Sequence, residues 1–464
     1  MTASAAHSIL PSLSPDEERH SIAAQGLIRE RLVAAGGWVS FEEFMELALY
    51  APGLGYYSAG SVKIGAGGDF VTAPEVSDLF SRCVARQCAD VLAEIGPSSG
   101  SGSGSKSESE SGSGSASGSG SGEILELGAG TGRMAATVLE SLASLGVLPE
   151  RYAILEVSAD LADRQRTRLQ QLPAELRDRV VWLDRLPSKP IRGVVLANEV
   201  LDALPFRRFV VRGGVVHELG VGLEGESFVW REKASGSPSG GSRSGGSPGG
   251  STPGGSTPGG GTPGDGTPGG GTPSGGTPSG APDGLVAAGK ELVGQLSLAL
   301  PEGYTSEICL RVKPWVASVG QCVEQGALLL FDYGLPRSHY YHPQRTDGTL
   351  RCYFKQRAHD NPFTNIAVQD ITAWVDFTRV AEAALDAQLE VAGFATQAAF
   401  LLGNGIETLI AEATDPIDRA RLAGEGRRLL LPGEMGESFK VMALCRNLQQ
   451  SLRGFAYQDL RTSL

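Results

Sequence analysis

Apolar residues along this chain recur with two different periods, and the change between them divides the sequence. In SIAAQGLIRERLVAAGG (21–37) they fall three and four apart and stop at two glycines, which predicts a helix. SFEEFMELALY (40–50) predicts a second, with Ser40 as N-cap and Glu43 three residues later, the spacing of a capping box. A glycine-rich loop then leads into a long helix expected from about Pro74. Beyond residue 122 the apolar runs become short: EILELGAG (123–130), RYAILEVS (151–158), RVVWLD (179–184), RGVVLANE (192–199) and GALLLFDYG (326–334). Helical stretches separate them, RMAATVLESLASLG, ADLADRQRTRLQQL and EICLRVKPWVASVGQCVEQ. Short strands alternating with helices predict a doubly wound α/β fold, a mostly parallel sheet covered on both faces. Between the fourth and fifth runs, FRRFVVRGGVVHELGVGLEGESFVWRE reads as antiparallel strands turned at Gly213-Gly214. The tail offers two more sheet candidates, GFATQAAFLL and SFKVMALCRN.

Composition changes this picture in one respect. The 464 residues include 64 glycines, and the excess is local. Residues 97–122 are a Gly/Ser tract and 234–283 a Gly/Ser/Thr/Pro tract. Neither can bury enough apolar surface to offset chain entropy, so both are expected to be flexible insertions. What remains, roughly 390 residues, suffices for one large decorated domain or two smaller ones. The expected division is an N-terminal helical cap with a cofactor-covering loop at 1–96, a first core part at 123–233, and a second at 284–464 with substrate-side insertions.

The formal net charge of −12 argues against nonspecific binding of nucleic acid or an anionic membrane, and favours a basic partner. No apolar run approaches the ~20 residues that span a bilayer. The opening MTASAAHSILPSLSPDEERHS carries neither secretory nor transit features, so a cytoplasmic, bacterial-type chain is expected. Six scattered cysteines without a Cys-x-x-Cys pair read as reduced thiols. His339 and His342 have no evident third ligand and read as ordinary loop histidines.

The candidate chemistry lies at the predicted strand ends, where open α/β sheets bind ligands. The first ends in ELGAGTG, with Glu126, Gly128, Gly130 and Gly132. Glycines there permit a tight turn and close approach of a ligand to the backbone, and the following helix start favours a negative group. The third glycine comes one residue too early for a dinucleotide fingerprint, and no Gly-Lys-Ser/Thr follows. Glu-x-Gly-x-Gly-x-Gly instead resembles motif I of class I S-adenosylmethionine-dependent methyltransferases. Glu156, ending the second strand, can accept both ribose hydroxyls, and Asp184, ending the third, sits where that family contacts adenine.

The resemblance narrows further. YYSAGSVKIGAGGDFVTAPEVSDLF, LELGAGTG, LEVSADLADRQ, LANEVLDALPFRRFV, LLLFDYG, DITAWVDFTRV, QAAFLL and EMGESFKVMAL occur in the order seen in the MidA-like methyltransferases. These are relatives of mitochondrial complex I assembly factor seven. The resemblance implies a seven-stranded class I sheet, S-adenosyl-L-methionine as cofactor and, as in the mitochondrial member, methylation of an arginine on a complex I subunit. The implied partners are a protein substrate, a respiratory-complex subunit among the candidates, and a second copy of the chain in a homodimer; no metal is implied.

A guanidinium stays protonated at neutral pH, so methylating it calls for carboxylates that grip it bidentately. In ANEVLDALP (197–205) Glu199 is the candidate clamp, Asp202 the second carboxylate and Asn198 a contact to cofactor or substrate. The alternative is that Asn198 caps a short helix, 199–204, with the two acids on its dipole. In the matched family the loop Gly67-Gly68-Asp69-Phe70 with Thr72 and Glu75 lies over the cofactor, with Asp69 toward its methionine moiety; a capping loop before Pro74 is the plainer reading. Asp332 and Tyr333 line the substrate side or hydrogen-bond a turn, and Arg351 and His359 are weaker candidates for peptide contact. Two other functions fit the same residues, methylation of a small molecule and an assembly protein that uses the cofactor structurally.

Overall fold

The computed structural model describes residues 10–58, 68–69, 71–96, 122–233 and 284–464. The two low-complexity tracts, apart from Gly122, and Gly67 and Phe70 of the glycine loop lie outside the described residues. The apolar runs form one sheet of seven strands, β1 (Glu123–Leu127), β2 (Arg151–Leu155), β3 (Val180–Leu183), β4 (Ile191–Asn198), β5 (Val323–Leu335), β6 (Glu390–Thr396) and β7 (Phe439–Arg446). Their order across the sheet is β3-β2-β1-β4-β5-β7-β6, and the pair Val375–Asp376 adds to the end of β5. β1 to β5 run parallel, whereas β7 lies antiparallel to both β5 and β6. Strand order reverses between β1 and β4, which opens a crevice at their carboxyl ends.

Helices cover both faces because these strands carry apolar side chains on both. On one side α4 (Asp78–Ile95) and α5 (Arg133–Ser144), with the helices at Gln397–Gly403 and Pro416–Leu430, pack over Ile124, Leu196, Leu329 and Val441. On the other, the helices Val312–Gly320 and Phe377–Asp386 pack over Leu125, Val195, Leu330 and Met442. α6 (Ala159–Leu169) follows β2. Above the carboxyl ends, α1 (Pro15–Ala34) and α2 (Phe41–Tyr50) pack on an antiparallel sheet built from Arg207–Arg212, Val215–Glu224, Ser227–Glu232 and Thr305–Ile308. A three-stranded sheet, Arg351–Phe354 between Arg357–His359 and Asp370–Thr372, joins the same apolar cluster.

The sequence reading departs from this architecture in five places. The helix expected from Pro74 is two: α3 (Ala73–Val76) stops where Ser77 turns extended, and its hydroxyl caps α4 by accepting from Leu79 N–H at 3.2 Å. GFATQAAFLL is half strand and half helix, because Thr396 ends β6 and caps Gln397–Gly403. EICLRVKPWV begins as strand, with Ser306 to Ile308 paired to the antiparallel sheet before the helix starts at Val312. At the Ser40 cap only half of the capping box forms, since Glu43 turns to Arg31. ANEVLDALP holds no helix, because Glu199 sits in the left-handed region at φ 53° and the chain turns through 199–204.

Candidate active site

Three glycines shape the crevice floor. Gly128, Gly130 and Gly132 have φ of 67°, 53° and 78°, so the chain leaving β1 winds through left-handed turns that side chains resist. Gly132 is the N-cap of α5, and a Cβ there would stand 3.2 Å from Gln165 Cα, which fixes how closely α6 approaches. Gln165 ties the strand ends together. Its Nε2 donates to Gly130 O at 3.0 Å and to Glu156 at 2.9 Å, while its Oε1 accepts from Trp182 Nε1 of β3 at 3.0 Å. Glu126, buried in β1, accepts from the Tyr152 hydroxyl at 2.7 Å, and burial pushes its carboxyl up to about 7.

A cavity of about 160 Å³ lies over this loop. Glu126, Gly128, Gly130 and Glu156 line it, with Asn198 and Glu199 from β4 and Thr72 and Glu75 from the α3 segment. Val157, Leu161 and Met134 supply an apolar wall, and Val157 is 80 % exposed there. Asp184 follows β3 as an exposed residue and does not line the cavity. Gly68 is buried beside Asp69, and neither is among the lining residues.

A second cavity, of about 450 Å³, adjoins the first, and Glu199 and Tyr57 line both. Its wall carries Asp69, Asp202 and Asp370 together with Tyr333 and Tyr353. Asp69, expected over the cofactor, thus belongs to this neighbouring space, where it accepts from the Tyr56 hydroxyl at 2.8 Å. The two readings of Asp332 and Tyr333 divide between them. Asp332 holds the turn, accepting from Leu201 and Asp202 N–H at 3.0 and 3.2 Å, whereas Tyr333 lines the cavity and donates to Asp202 Oδ2. Asn198 does not cap a helix: its Nδ2 donates to Glu199 at 3.2 Å, and its buried Oδ1 has no partner among the described residues.

Crowding of acids in a dry space raises their proton affinity. Burial, then the Asp202 charge, pushes Glu199 up to about 8, and burial pushes Asp202 up to about 6 despite the Tyr333 hydroxyl. Burial and the charge of Asp202 push Asp370 up to about 8. The remaining candidates stand apart. Arg351 is exposed and donates to Leu350 O, and His359, half-buried with its pKa lowered by burial, accepts from Asn361 N–H. Among the described residues, no three His, Cys, Asp or Glu side chains could hold a metal ion, and His342 accepts from Gln344 N–H.

The site has residues that sequence reasoning missed. Tyr57 and Asp370 were inside the quoted runs YYSAG and DITAW, and Gln165 inside LEVSADLADRQ, but no local spacing marks a chemical role for any of them. A buried acid in a β-rich run was the available signal for Asp370.

The strand order, the glycine loop and the acid ending β2 define a class I S-adenosylmethionine-dependent methyltransferase fold. Residues 109–395 match the family model for S-adenosyl-L-methionine-dependent methyltransferases, and the chain belongs to that family. A crystal structure from Burkholderia thailandensis, bound to S-adenosyl-homocysteine, is 34% identical, covers 98% of this chain and 100% of its own, and superimposes with a TM-score of 0.78. Among curated relatives, the mitochondrial protein arginine methyltransferase NDUFAF7 of Danio rerio is 24% identical over 91% of this chain and 86% of its own length. That of Mus musculus is 24% identical over 89% of this chain and 82% of its own. No helix among the described residues is long and apolar enough to cross a membrane.

Proposed function

We propose that this methyltransferase acts on a protein, at an arginine guanidinium, with the smaller cavity holding S-adenosyl-L-methionine and the larger one holding the acceptor. One observation carries the reading: a carboxylate, Glu199, stands in the wall common to both cavities, and the larger is lined by further acids. The names of the relatives supply the expectation of arginine.

The residues present fit the cofactor. Left-handed glycines let the backbone approach it, Glu156 faces the cavity as an acceptor for hydroxyls, Val157 and Leu161 offer an apolar surface, and the orphaned Asn198 Oδ1 awaits a donor. When bound, the cofactor supplies an electrophilic methyl on a sulfonium. The chain's own work is then positioning and charge. Glu199 orients the acceptor nitrogen toward the smaller cavity, and Asp202, its Oδ1 buried without a partner, binds the guanidinium from the other side. Tyr50 and Tyr57, stacked with centroids 5.4 Å apart, wall the passage against water. The strained turn at Glu199 holds its carboxylate at this junction, and Asp332 pins that turn from below.

A respiratory-complex subunit is the substrate the family resemblance suggests. The test is labelling. The purified chain, given radiolabelled cofactor and a lysate fractionated into polypeptides and metabolites, should label a polypeptide that yields methylarginine on acid hydrolysis. Label among metabolites would favour a small-molecule enzyme; cofactor binding and partner capture without label would favour an assembly protein. Glu199→Gln should lower transfer about 10³-fold with cofactor affinity unchanged. Loss of both, or of neither, refutes the role given to Glu199.

A further inference from the structure

The larger cavity contains a carboxylate supplied by neither the glycine loop nor the fourth strand. Asp370 begins the strand Asp370–Thr372 of the three-stranded sheet and is only 3 % exposed. Burying an acid is costly without compensation, and here the compensation is partial. One oxygen, Oδ1, accepts from the Tyr57 hydroxyl at 3.0 Å and from Ile371 N–H at 2.9 Å. The charges bearing on it, Asp202 and Asp69, have its own sign. Across the same cavity Tyr333 donates to one oxygen of the buried Asp202, and the other, Oδ1, has no hydrogen-bond partner among the described residues. Each acid is therefore steadied on one oxygen by a tyrosine hydroxyl. Among the described residues neither forms an ion pair, and the basic side chain in the cavity wall, Arg428, is an exposed residue at its rim. A planar group with several N–H donors and one positive charge complements that arrangement.

We propose that Asp370, steadied by Tyr57, is the second jaw of the acceptor site, gripping a guanidinium opposite Asp202 and taking the proton that the methylated nitrogen gives up. The proposal rests on the arginine reading above. The step balances: the N–CH3 bond forms as the S–CH3 bond breaks, and the bonding pair stays on sulfur, which becomes a neutral thioether. The nitrogen passes one N–H proton to the Asp370 carboxylate, and the methylated guanidinium keeps its charge. Asp202 suits the complementary task of remaining anionic, because a tyrosine hydroxyl and backbone N–H groups stabilise its charge. Asp370 is the more basic of the two. Tyr57 lines both cavities, so the hydroxyl that steadies Asp370 also stands beside the cofactor space.

The experiment compares wild type, Asp370→Asn and Tyr57→Phe by radiolabel transfer to the polypeptide fraction, with S-adenosyl-homocysteine affinity and thermal unfolding measured on each. Asp370→Asn should lower transfer about 10²-fold or more while cofactor affinity stays within about twofold, since Asp370 does not line the cofactor cavity. Tyr57→Phe, which keeps the ring and removes the hydroxyl, should lower transfer about tenfold. The upper limb of the pH profile should move to lower pH in the residual Asp370→Asn activity, because the Asp370 charge is one of those that raise Glu199. The titratable and charged groups around Asp370 are the tyrosines Tyr50, Tyr56, Tyr57, Tyr333 and Tyr353, the Cys352 thiol, the carboxylates Asp69, Asp202 and Glu199, and the exposed Arg428 of the cavity wall, and of the carboxylates Glu199 is pushed as high as Asp370. Transfer at the wild-type rate by either folded variant overturns the inference while leaving the arginine reading intact. Methyl-lysine in the wild-type hydrolysate, with Asp370→Asn inactive, overturns arginine and keeps Asp370 as the jaw for a cation. A wild type that labels no polypeptide overturns both.

Discussion

The two cavities that meet at Glu199, the smaller proposed for the cofactor and the larger for the acceptor, are assembled by different means. The first takes its floor from the ends of neighbouring parallel strands, β1, β2 and β4, with Tyr50, Tyr57, Thr72 and Glu75 of the N-terminal segment completing its wall. The second takes walls from α2's following loop at Tyr57, from the β4 and β5 ends at Asp202 and Tyr333, from the three-stranded sheet at Tyr353 and Asp370, and from Arg428 to Phe439 near the tail. The consequence is a division of labour. On the roles proposed for the two cavities, the strand ends would set the donor and the inserted elements the acceptor.

The sharpest way to break this division is at the loop. Gly128→Val puts a branched side chain at φ 67° and against Val200, 3.6 Å from where its Cβ would stand. S-adenosyl-homocysteine binding should weaken about 100-fold or more by calorimetry, with thermal unfolding still cooperative. Loss of folding would mean that the loop belongs to the core instead. A smaller effect is expected from pH. Glu199 and Asp370 hold protons up to about 8 and Asp202 to about 6, whereas carboxyls in an unfolded chain titrate near ~4. Their folded-state affinity for protons is raised, so their stabilising share is full below ~4 and drains away as pH climbs through 8. The ligand-free melting temperature should fall across that window, and kcat/KM for the acceptor should rise across it as the cation-binding form appears. An acceptor profile flat from pH 6 to 8.5 would remove these acids from the acceptor site. Smaller again, Gln165→Ala should weaken cofactor binding about tenfold, because Gly130 and Glu156 lose their common donor. A change in acceptor KM with unchanged cofactor affinity would blur the two regions.

The same division explains what could be read from the sequence. Strand ends in a parallel sheet announce themselves locally, by an apolar run followed by an acid or glycines, and Glu126, Gly128, Gly130, Glu156 and Glu199 were legible for that reason. Asp184 obeyed the same pattern yet lies exposed beyond β3, since a local rule gives no information on where the chain turns next. The break at Ser77 and the missing helix after Asn198 escaped because each depends on a tertiary partner, Glu425 for the Ser77 hydroxyl and Asp332 for the 199–202 turn. Asp370 could not be joined to Asp202 by any periodicity, since only the packing of the three-stranded sheet brings them to one wall.

The backbone at residue 199 sets folding and chemistry against each other. At φ 53° an asparagine or glycine would rest more comfortably than a glutamate, and either would also remove a buried carboxylate that its neighbours repel. Selection for stability alone would therefore erase this residue. Under the role proposed for Glu199, position 199 is a marker of lost activity: a homologue with asparagine there should be the hardier protein and the idle one.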